Sequence, residues 1–97
     1  MPDAYYVYIL ASQRNGTLHI GVTNDLTHRI WEHREGMVEG FTKDYGVKRL
    51  LHFEVFDNIH DAIHREKRLK KWKRQWKIDL IQSRNLLWDD LYENFNG

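Results

Sequence analysis

The chain has 97 residues, no cysteine and a formal net charge of +1 at pH 7. This length suggests one domain, residues 1–97, with a modest core that four Trp, five Tyr and four Phe would help to fill. The absence of cysteine excludes disulfides, thiol nucleophiles and cysteine zinc sites. No apolar run approaches the roughly 20 residues of a membrane span and no signal peptide is evident, so we expect a cytoplasmic protein that does not enter a membrane.

The net charge conceals a strongly basic segment. Residues 64–77, HREKRLKKWKRQWK, carry eight Lys or Arg and one acid, whereas residues 1–63 and 78–97 each have three more acids than bases. A local balance of +7 favours a polyanionic partner, although a basic helix face is often only a solvated one.

The first part of the chain predicts a β-hairpin followed by a helix. Aromatic and β-branched residues at about 4–11 indicate a strand, SQRNG has the composition of a turn, and the alternating TLHIGVT indicates a second strand. Asn24 or Asp25 is a suitable N-cap for a helix over about 25–35, which Gly36 would end. The glycine-punctuated MVEGFTKDYG predicts a loop.

The second part predicts a third strand and further helices. VKRLLHFEVF indicates the strand, and residues 57–81 contain one or two helices with a break near Lys73 to Gln75. WDDLYENF predicts a last short turn. The order β-β-α-β-α-α indicates an α+β fold, a small three-stranded antiparallel sheet flanked by helices.

The hairpin keeps one set of polar side chains together in either register that its sequence allows. A four-residue loop, 12–15, would pair Tyr8 with His19, and a two-residue turn at 15–16 would pair Tyr8 with Thr23. Both registers place the same polar or small residues on one face: Tyr6, Tyr8, His19 and Gly21. The other face receives residues suited to a core: Val7, Ile9, Leu18, Ile20 and Val22. The polar and small residues of the first face either only line the sheet or form part of a functional site.

The helices contribute three more candidates. Arg29 and His33 are four residues apart and share a helix face, which is either solvated or functional. Glu66 lies in the middle of an apolar stripe formed by Ile59, Ala62, Ile63, Leu69, Trp72 and Trp76. A carboxylate there needs a partner, so we expect either a structural salt bridge, for example to Arg29, or a metal ligand.

The run KKWKRQWK allows two interpretations. Its tryptophans could stack on bases while its cations contact phosphates, but Trp72 and Trp76 fit the apolar stripe, so we expect both to pack in the core. The cations then face water, and four of them are candidate nucleic-acid contacts: Lys67, Lys70, Lys71 and Arg74.

These residues, taken in order, resemble a known pattern. YVY at 6–8, HIG at 19–21, Arg29 with His33, and a downstream helical Glu66 are similar to the GIY-YIG nuclease superfamily, in particular its small single-domain bacterial branch. The resemblance covers nearly the whole chain, and its specificity lies in the ordered set of elements, since neither tripeptide is specific alone. The family fold, a three-stranded antiparallel sheet flanked by helices, agrees with the predicted order.

The resemblance implies a DNA endonuclease that hydrolyses phosphodiester bonds with one divalent metal, Mg²⁺ or Mn²⁺. By position, Tyr8 matches a base that takes a proton from the attacking water, and Arg29 matches a residue that stabilises phosphate charge. His33 matches a histidine that assists proton transfer or orients the tyrosine. Glu66 matches the metal ligand. The implied substrate is branched or damaged DNA in repair, without strict sequence specificity.

Three departures from the family pattern keep other functions open. Tyr6 replaces the first motif's glycine, His19 replaces the second motif's tyrosine, and the late asparagine has no assigned counterpart, Asn85 being the nearest. His19 favours an alternative in which the chain is a nucleic-acid-binding module without turnover. A second alternative is a protein-interaction domain that uses the acidic WDDLYENF.

Overall fold

The fold was examined in a computed structural model, which describes residues 4–37 and 46–94. Its strands are β1 (Tyr5–Ala11), β2 (Leu18–Thr23) and β3 (Arg49–Phe56). Its helices are α1 (Leu26–Arg34), α2 (Ile59–Lys71) and α3 (Arg74–Arg84), and a 3₁₀ turn follows at Leu91–Asn94. The strands form one antiparallel sheet in the order β2-β1-β3. The α+β class and the order β-β-α-β-α-α confirm the prediction, while most of the predicted loop over 37–46 lies outside the described residues.

The hairpin register differs from both registers that the sequence suggested. Ala11 pairs with Leu18, so the loop spans six residues, and Tyr8 lies opposite Gly21 instead of His19 or Thr23. The longer loop closes through a hydrogen bond from the Ser12 N–H to the Thr17 carbonyl, 3.1 Å. The predicted faces are nevertheless correct, because all three registers have the same parity.

The sheet buries apolar residues on both faces. On one face, β1 and β2 pack against α2, α3 and Trp88 in a cluster of Val7, Ile9, Ala11, Ile20, Leu51, Ala62, Leu69, Ile81 and Trp88. On the other face, α1 covers a second cluster of Tyr8, Leu10, Leu26, Ile30, Val47 and Leu50. Tyr8 therefore lies between the sheet and α1, at the place where a short polar helix face meets the central strand.

The helix bounds follow from local signals in the sequence. The Asp25 side chain accepts a hydrogen bond from the His28 N–H, 3.2 Å, and caps α1. Asn58 caps α2 in the same way, accepting from the His60 N–H at 2.7 Å. The predicted break between the later helices is present, but it falls at Trp72 and Lys73, whose backbones are extended.

The position of this break corrects the prediction for Trp76. Trp72 is partly buried and packs against the first cluster, as expected. Trp76 belongs to α3 and is 52% exposed, so its expected place in the core is wrong. The 3.6-residue periodicity that joined Trp76 to the stripe holds only within one helix, and the stripe ends where the chain leaves α2.

A partly buried charged network, which the sequence patterns did not indicate, joins β3 to α2. Arg65 donates from Nε and Nη2 to the two carboxylate oxygens of Glu54, at 2.8 and 3.0 Å. His52 Nε2 lies 2.9 Å from Glu54 Oε2, and the Arg65 guanidinium also lies 5.0 Å from the centre of the Trp72 ring. Burial raises the pKa of Glu54, but hydrogen bonds from His52 and Arg65 outweigh it and lower the pKa to about 2.

Candidate active site

The site is centred on Tyr8, which is 1% exposed. Its ring lies directly over Gly21 on the neighbouring strand, and a Cβ at position 21 would overlap the ring and its hydroxyl. The glycine in the middle of β2 is therefore explained by the close approach of an aromatic ring.

The structure brings together the three ring side chains that the sequence singled out. The Tyr8 hydroxyl and His33 Nε2 are 3.1 Å apart and buried. His19 completes the group, with its ring centre 6.2 Å from that of Tyr8 and 5.3 Å from that of His33. The strands and α1 thus converge on one phenol and two imidazoles.

Arg29 connects this group to the solvent. Its guanidinium acts on Tyr8, whose pKa it lowers against the effect of burial, and its Nη1 lies 3.5 Å from Glu32 Oε1. The side chain is 37% exposed, so it also presents positive charge at the surface. An anion approaching Tyr8 from the solvent would meet Arg29.

The electrostatic environment sets the protonation of the group. Burial raises the pKa of Tyr8 above its ordinary value, although Arg29 opposes this, and Glu66 and Glu32 raise it further. The phenol is therefore protonated at neutral pH.

The imidazoles are neutral at the same pH. Burial lowers the pKa of His19 to about 4, with help from the charges of Lys70 and Arg29. Burial likewise lowers the pKa of His33 to about 4, with smaller effects of His19 and Arg29. A neutral imidazole next to a protonated phenol can accept the phenol's proton.

Glu66 borders this group from α2. Its side chain is 15% exposed, and its carboxylate pairs with Lys70 Nζ at 3.4 Å. The salt bridge considered for Glu66 therefore has a partner on its own helix, not Arg29. Since its charge acts on the pKa of Tyr8, the carboxylate lies close enough to influence chemistry there.

A divalent metal would find few protein ligands at this place. Within residues 4–37 and 46–94, no group of three or more His, Asp or Glu is arranged to hold a metal ion. A lone carboxylate nevertheless suits Mg²⁺, which keeps several waters and is bound by one or two carboxylates together with substrate phosphates. The donor set fits a cation that binds with the substrate.

The candidate phosphate contacts differ in their surroundings. Lys67 and Lys71 are exposed on α2, whereas Lys70 pairs with Glu66. Arg74 donates from Nη2 to the carbonyls of Asn15 and Gly16, at 2.9 and 2.6 Å. Arg74 thus fixes the start of α3 against the hairpin loop.

Asn85, the nearest candidate for the family's late asparagine, has a structural environment. It is 7% exposed, and its Nδ2 donates to the carbonyls of Leu51 and Asp89, at 3.1 and 2.8 Å. Its Oδ1 accepts from the Asp89 N–H at 2.9 Å. These bonds satisfy the amide and close the end of α3.

The acidic segment WDDLYENF is largely tied into the fold in its described part. Trp88 is fully buried, and Arg34 Nη1 donates to Asp90 Oδ2 at 2.6 Å. Asp90 Oδ1 also accepts from the Leu50 N–H at 3.2 Å. These contacts give the Asp90 carboxylate a structural role.

Sequence reasoning missed the residues that support the site. Glu32 contacts Arg29. Arg65, the residue before Glu66 in the chain, forms an ion pair with Glu54. The spacing of Arg29 and Glu32, three residues on one helix, was a usable signal. The pairing of Arg65 with Glu54 had no such signal in the sequence, because it joins a helix to a strand and follows from no fixed spacing along the chain.

No helix described in residues 4–37 and 46–94 is long and apolar enough to cross a membrane.

Residues 4–79 match the GIY-YIG catalytic domain. A UPF0213 protein of Clostridium perfringens is 35% identical over 91 residues, which cover 94% of this chain and 97% of the relative. One from Oceanobacillus iheyensis is 35% identical, covering 84% and 94%.

A solved structure is also similar. The solution NMR structure of a UPF0213 protein from Bacillus halodurans has a TM-score of 0.56 and 28% identity. The match covers 90% of this chain and 92% of the chain in the solved structure.

Proposed function

Because the chain belongs to the GIY-YIG family, a family of nucleases, we propose that it is a metal-dependent endonuclease that hydrolyses DNA phosphodiester bonds. The observation that carries this proposal is the buried 3.1 Å contact between the Tyr8 hydroxyl and His33 Nε2, beside the cationic Arg29. Water attack on a phosphate needs a proton acceptor and stabilisation of the developing negative charge. The phenol with its neutral imidazole and the guanidinium are groups suited to these two tasks.

Tyr8 acts as a proton relay in this mechanism. Its phenol is protonated at neutral pH, so it accepts the proton of the attacking water only as it passes its own to an imidazole. His33 is the direct acceptor at 3.1 Å, and its pKa of about 4 leaves it neutral and able to accept. His19, whose ring lies beside both, supports the same transfer.

Arg29 stabilises the negative charge that develops on the phosphate. Its guanidinium faces Tyr8 on one side and solvent on the other, so a phosphate bound there lies next to the proton relay. Fixed cations aimed at developing charge lower the barrier without reorganising during the reaction.

Glu66 is the residue that would hold the divalent cation, Mg²⁺ or Mn²⁺. Such an ion would polarise the scissile phosphate and stabilise the leaving oxygen. Lys70 neutralises Glu66 in the absence of the ion, and the ammonium can move to a phosphate when the ion binds.

The biological setting belongs to the same proposal. DNA repair, or processing of branched or damaged DNA, fits a small basic domain, and the charge on α2 favours binding without strict sequence specificity.

A plasmid-nicking assay with and without Mg²⁺ tests the proposal. The wild type should nick with Mg²⁺, and Glu66→Gln should abolish cleavage while circular dichroism remains unchanged. Glu35→Gln, which alters an exposed glutamate at the C-cap of α1, is the matched control and should cleave like the wild type. Wild-type DNA binding without cleavage would instead favour the nucleic-acid-binding module.

A further inference from the structure

We propose that Trp76 and the cations around it form a stacking platform for unpaired nucleotides, so that the preferred DNA carries a single-stranded segment. The inference rests on the proposed function, because it identifies the class of DNA that the same site receives. The feature behind it is an indole that the fold leaves exposed within the most basic part of the chain.

Trp76 is the most exposed of the four tryptophans. Trp88 is fully buried and Trp72 packs against the core, whereas Trp76 is 52% exposed. Trp31 is also exposed, at 41%, but its ring is stacked on His28 at 5.7 Å and 21°. Trp76 instead meets Trp72 edge-on, at 6.0 Å and 83°. That contact steadies the indole without stacking a ring on its face.

The surroundings of Trp76 are cationic. The Lys73 ammonium lies 5.7 Å from the centre of the Trp76 ring. Lys71, Arg74 and Lys77 flank it in the chain, and no acid occurs between Lys67 and Ile78. A base that stacks on the indole brings phosphates with it, and the flexible Lys73 can move from the ring to one of them. Aromatic rings between cations are the general means of binding single strands.

The helix that carries Trp76 is attached to two elements that border the candidate active site. Arg74 at the start of α3 binds the carbonyl of Gly16 in the hairpin whose second strand carries His19. Lys77 Nζ lies 3.4 Å from the carbonyl of Lys70 on α2, whose charge acts on His19.

Stacking selects for unpaired DNA. The bases inside a duplex already stack on their neighbours, so an indole can cover a base only at an end, a gap, a flap or a loop. The lysines bind either form through phosphates. Trp76 therefore adds affinity for single-stranded segments above a charge-driven background.

The test compares binding of a fluorescent single strand and a blunt duplex of the same sequence, in EDTA so that cleavage does not occur. Trp76→Ala should weaken single-strand binding roughly five- to a hundred-fold, the range for losing one stacked base. It should leave duplex binding within about twofold, because no phosphate contact is lost. Trp76→Phe should restore most of the affinity, and Trp31→Ala is the matched control, expected to bind like the wild type.

The outcomes separate this inference from the proposed function. Unchanged single-strand binding by Trp76→Ala would overturn the platform, and so would equal weakening of both DNA forms, which indicates a structural role. A wild type that binds neither form would also overturn it. None of these results depends on cleavage, so the nicking assay decides the proposed function independently.

Discussion

At the scale of single residues, Tyr8 determines what its neighbours must be. Its ring requires glycine at position 21, and its hydroxyl lies at His33 Nε2. The glycine and the histidine belong to different elements, yet each is explained by one phenol. A change at either partner should therefore affect the same proton transfer.

Gly21→Ala tests this dependence. The added methyl overlaps the Tyr8 ring and forces it away from His33, so cleavage should fall by at least tenfold. Overpacking should also lower the free energy of unfolding by about 1–3 kcal/mol. Single-turnover cleavage and urea unfolding measure the two effects. Wild-type cleavage by this variant would show that the contact between Tyr8 and His33 is not used in the reaction.

His19 is one of the residues at which this chain departs from the family pattern, and it makes a second test. His19→Tyr should retain or raise activity, whereas His19→Ala should lose much of the proton transfer, a contribution of about 10²–10⁴ in rate. Because the pKa of His19 is lowered to about 4, the wild-type rate should show no step near the ordinary histidine pKa of about 6.5. The measurement is single-turnover cleavage across pH, with folding checked by circular dichroism.

A step near pH 6.5 in the wild type would contradict the neutral histidines. If His19→Ala cleaves as fast as the wild type at every pH, His19 only lines the sheet.

At the scale of elements, the orientation of α2 depends on a contact from the sheet. Glu54 on β3 holds Arg65 through two hydrogen bonds, and Arg65 precedes Glu66, the proposed metal ligand. The contact fixes the rotation of α2 as well as its position. The helix can then present Glu66 toward Tyr8 while Leu69 remains in the core.

Arg65→Met should reveal this anchor. Removing the guanidinium leaves the Glu54 carboxylate without its main partner, which should lower the free energy of unfolding by about 1.5–3 kcal/mol. Arg68→Met, an exposed arginine on the same helix, is the matched control and should change stability by less than about 0.5 kcal/mol. Equal stability of the two variants in urea would contradict the anchor.

The same contact has a defined pH dependence. Because the folded-state pKa of Glu54 is about 2, the pair stabilises the fold above the unfolded carboxylate pKa of about 4.3. This stabilisation is lost as the pH falls from there toward 2. Between about pH 4.3 and about pH 2, the Arg65→Met variant should therefore lose less free energy of unfolding than the wild type.

At the scale of the whole molecule, the sequence predicted the fold and the grouping of the candidate site well. Parity placed Tyr8 and His19 on one face, a capping residue located α1, and the apolar stripe located α2. The register could not be predicted, because the hairpin loop closes through a backbone hydrogen bond with no sequence signature. The exposure of Trp76 was also missed, because the apolar stripe of α2 was continued across the break into α3.

The charge distribution makes a further prediction at this scale. Lys67 and Lys71 are exposed on α2, whereas Lys70 pairs with Glu66 and Arg74 holds the hairpin loop. Replacing Lys67 and Lys71 with Gln should weaken binding to all DNA sequences alike. It should also flatten the slope of log affinity against log salt by about 0.9 for each lost phosphate contact.

A double variant that removes Lys48 and Arg84 carries the same change in net charge and serves as the control. The slope should remain at its wild-type value in this control, since both cations are exposed and lie outside the basic segment 64–77. Identical slopes in the two variants would mean that net charge, and not the position of the α2 lysines, governs binding.

The central strand of the sheet is also the first to leave the ribosome. Five of the seven residues of β1 are buried in the folded protein, yet its second partner, β3, ends at Phe56. At about 5–20 residues per second, synthesis from Ala11 to Phe56 takes roughly two to nine seconds. The hairpin with β2 can form early in this interval, but the other edge of β1 stays open throughout. Translation therefore exposes an apolar strand edge that the finished fold conceals, and this interval is when the nascent chain is most prone to aggregate.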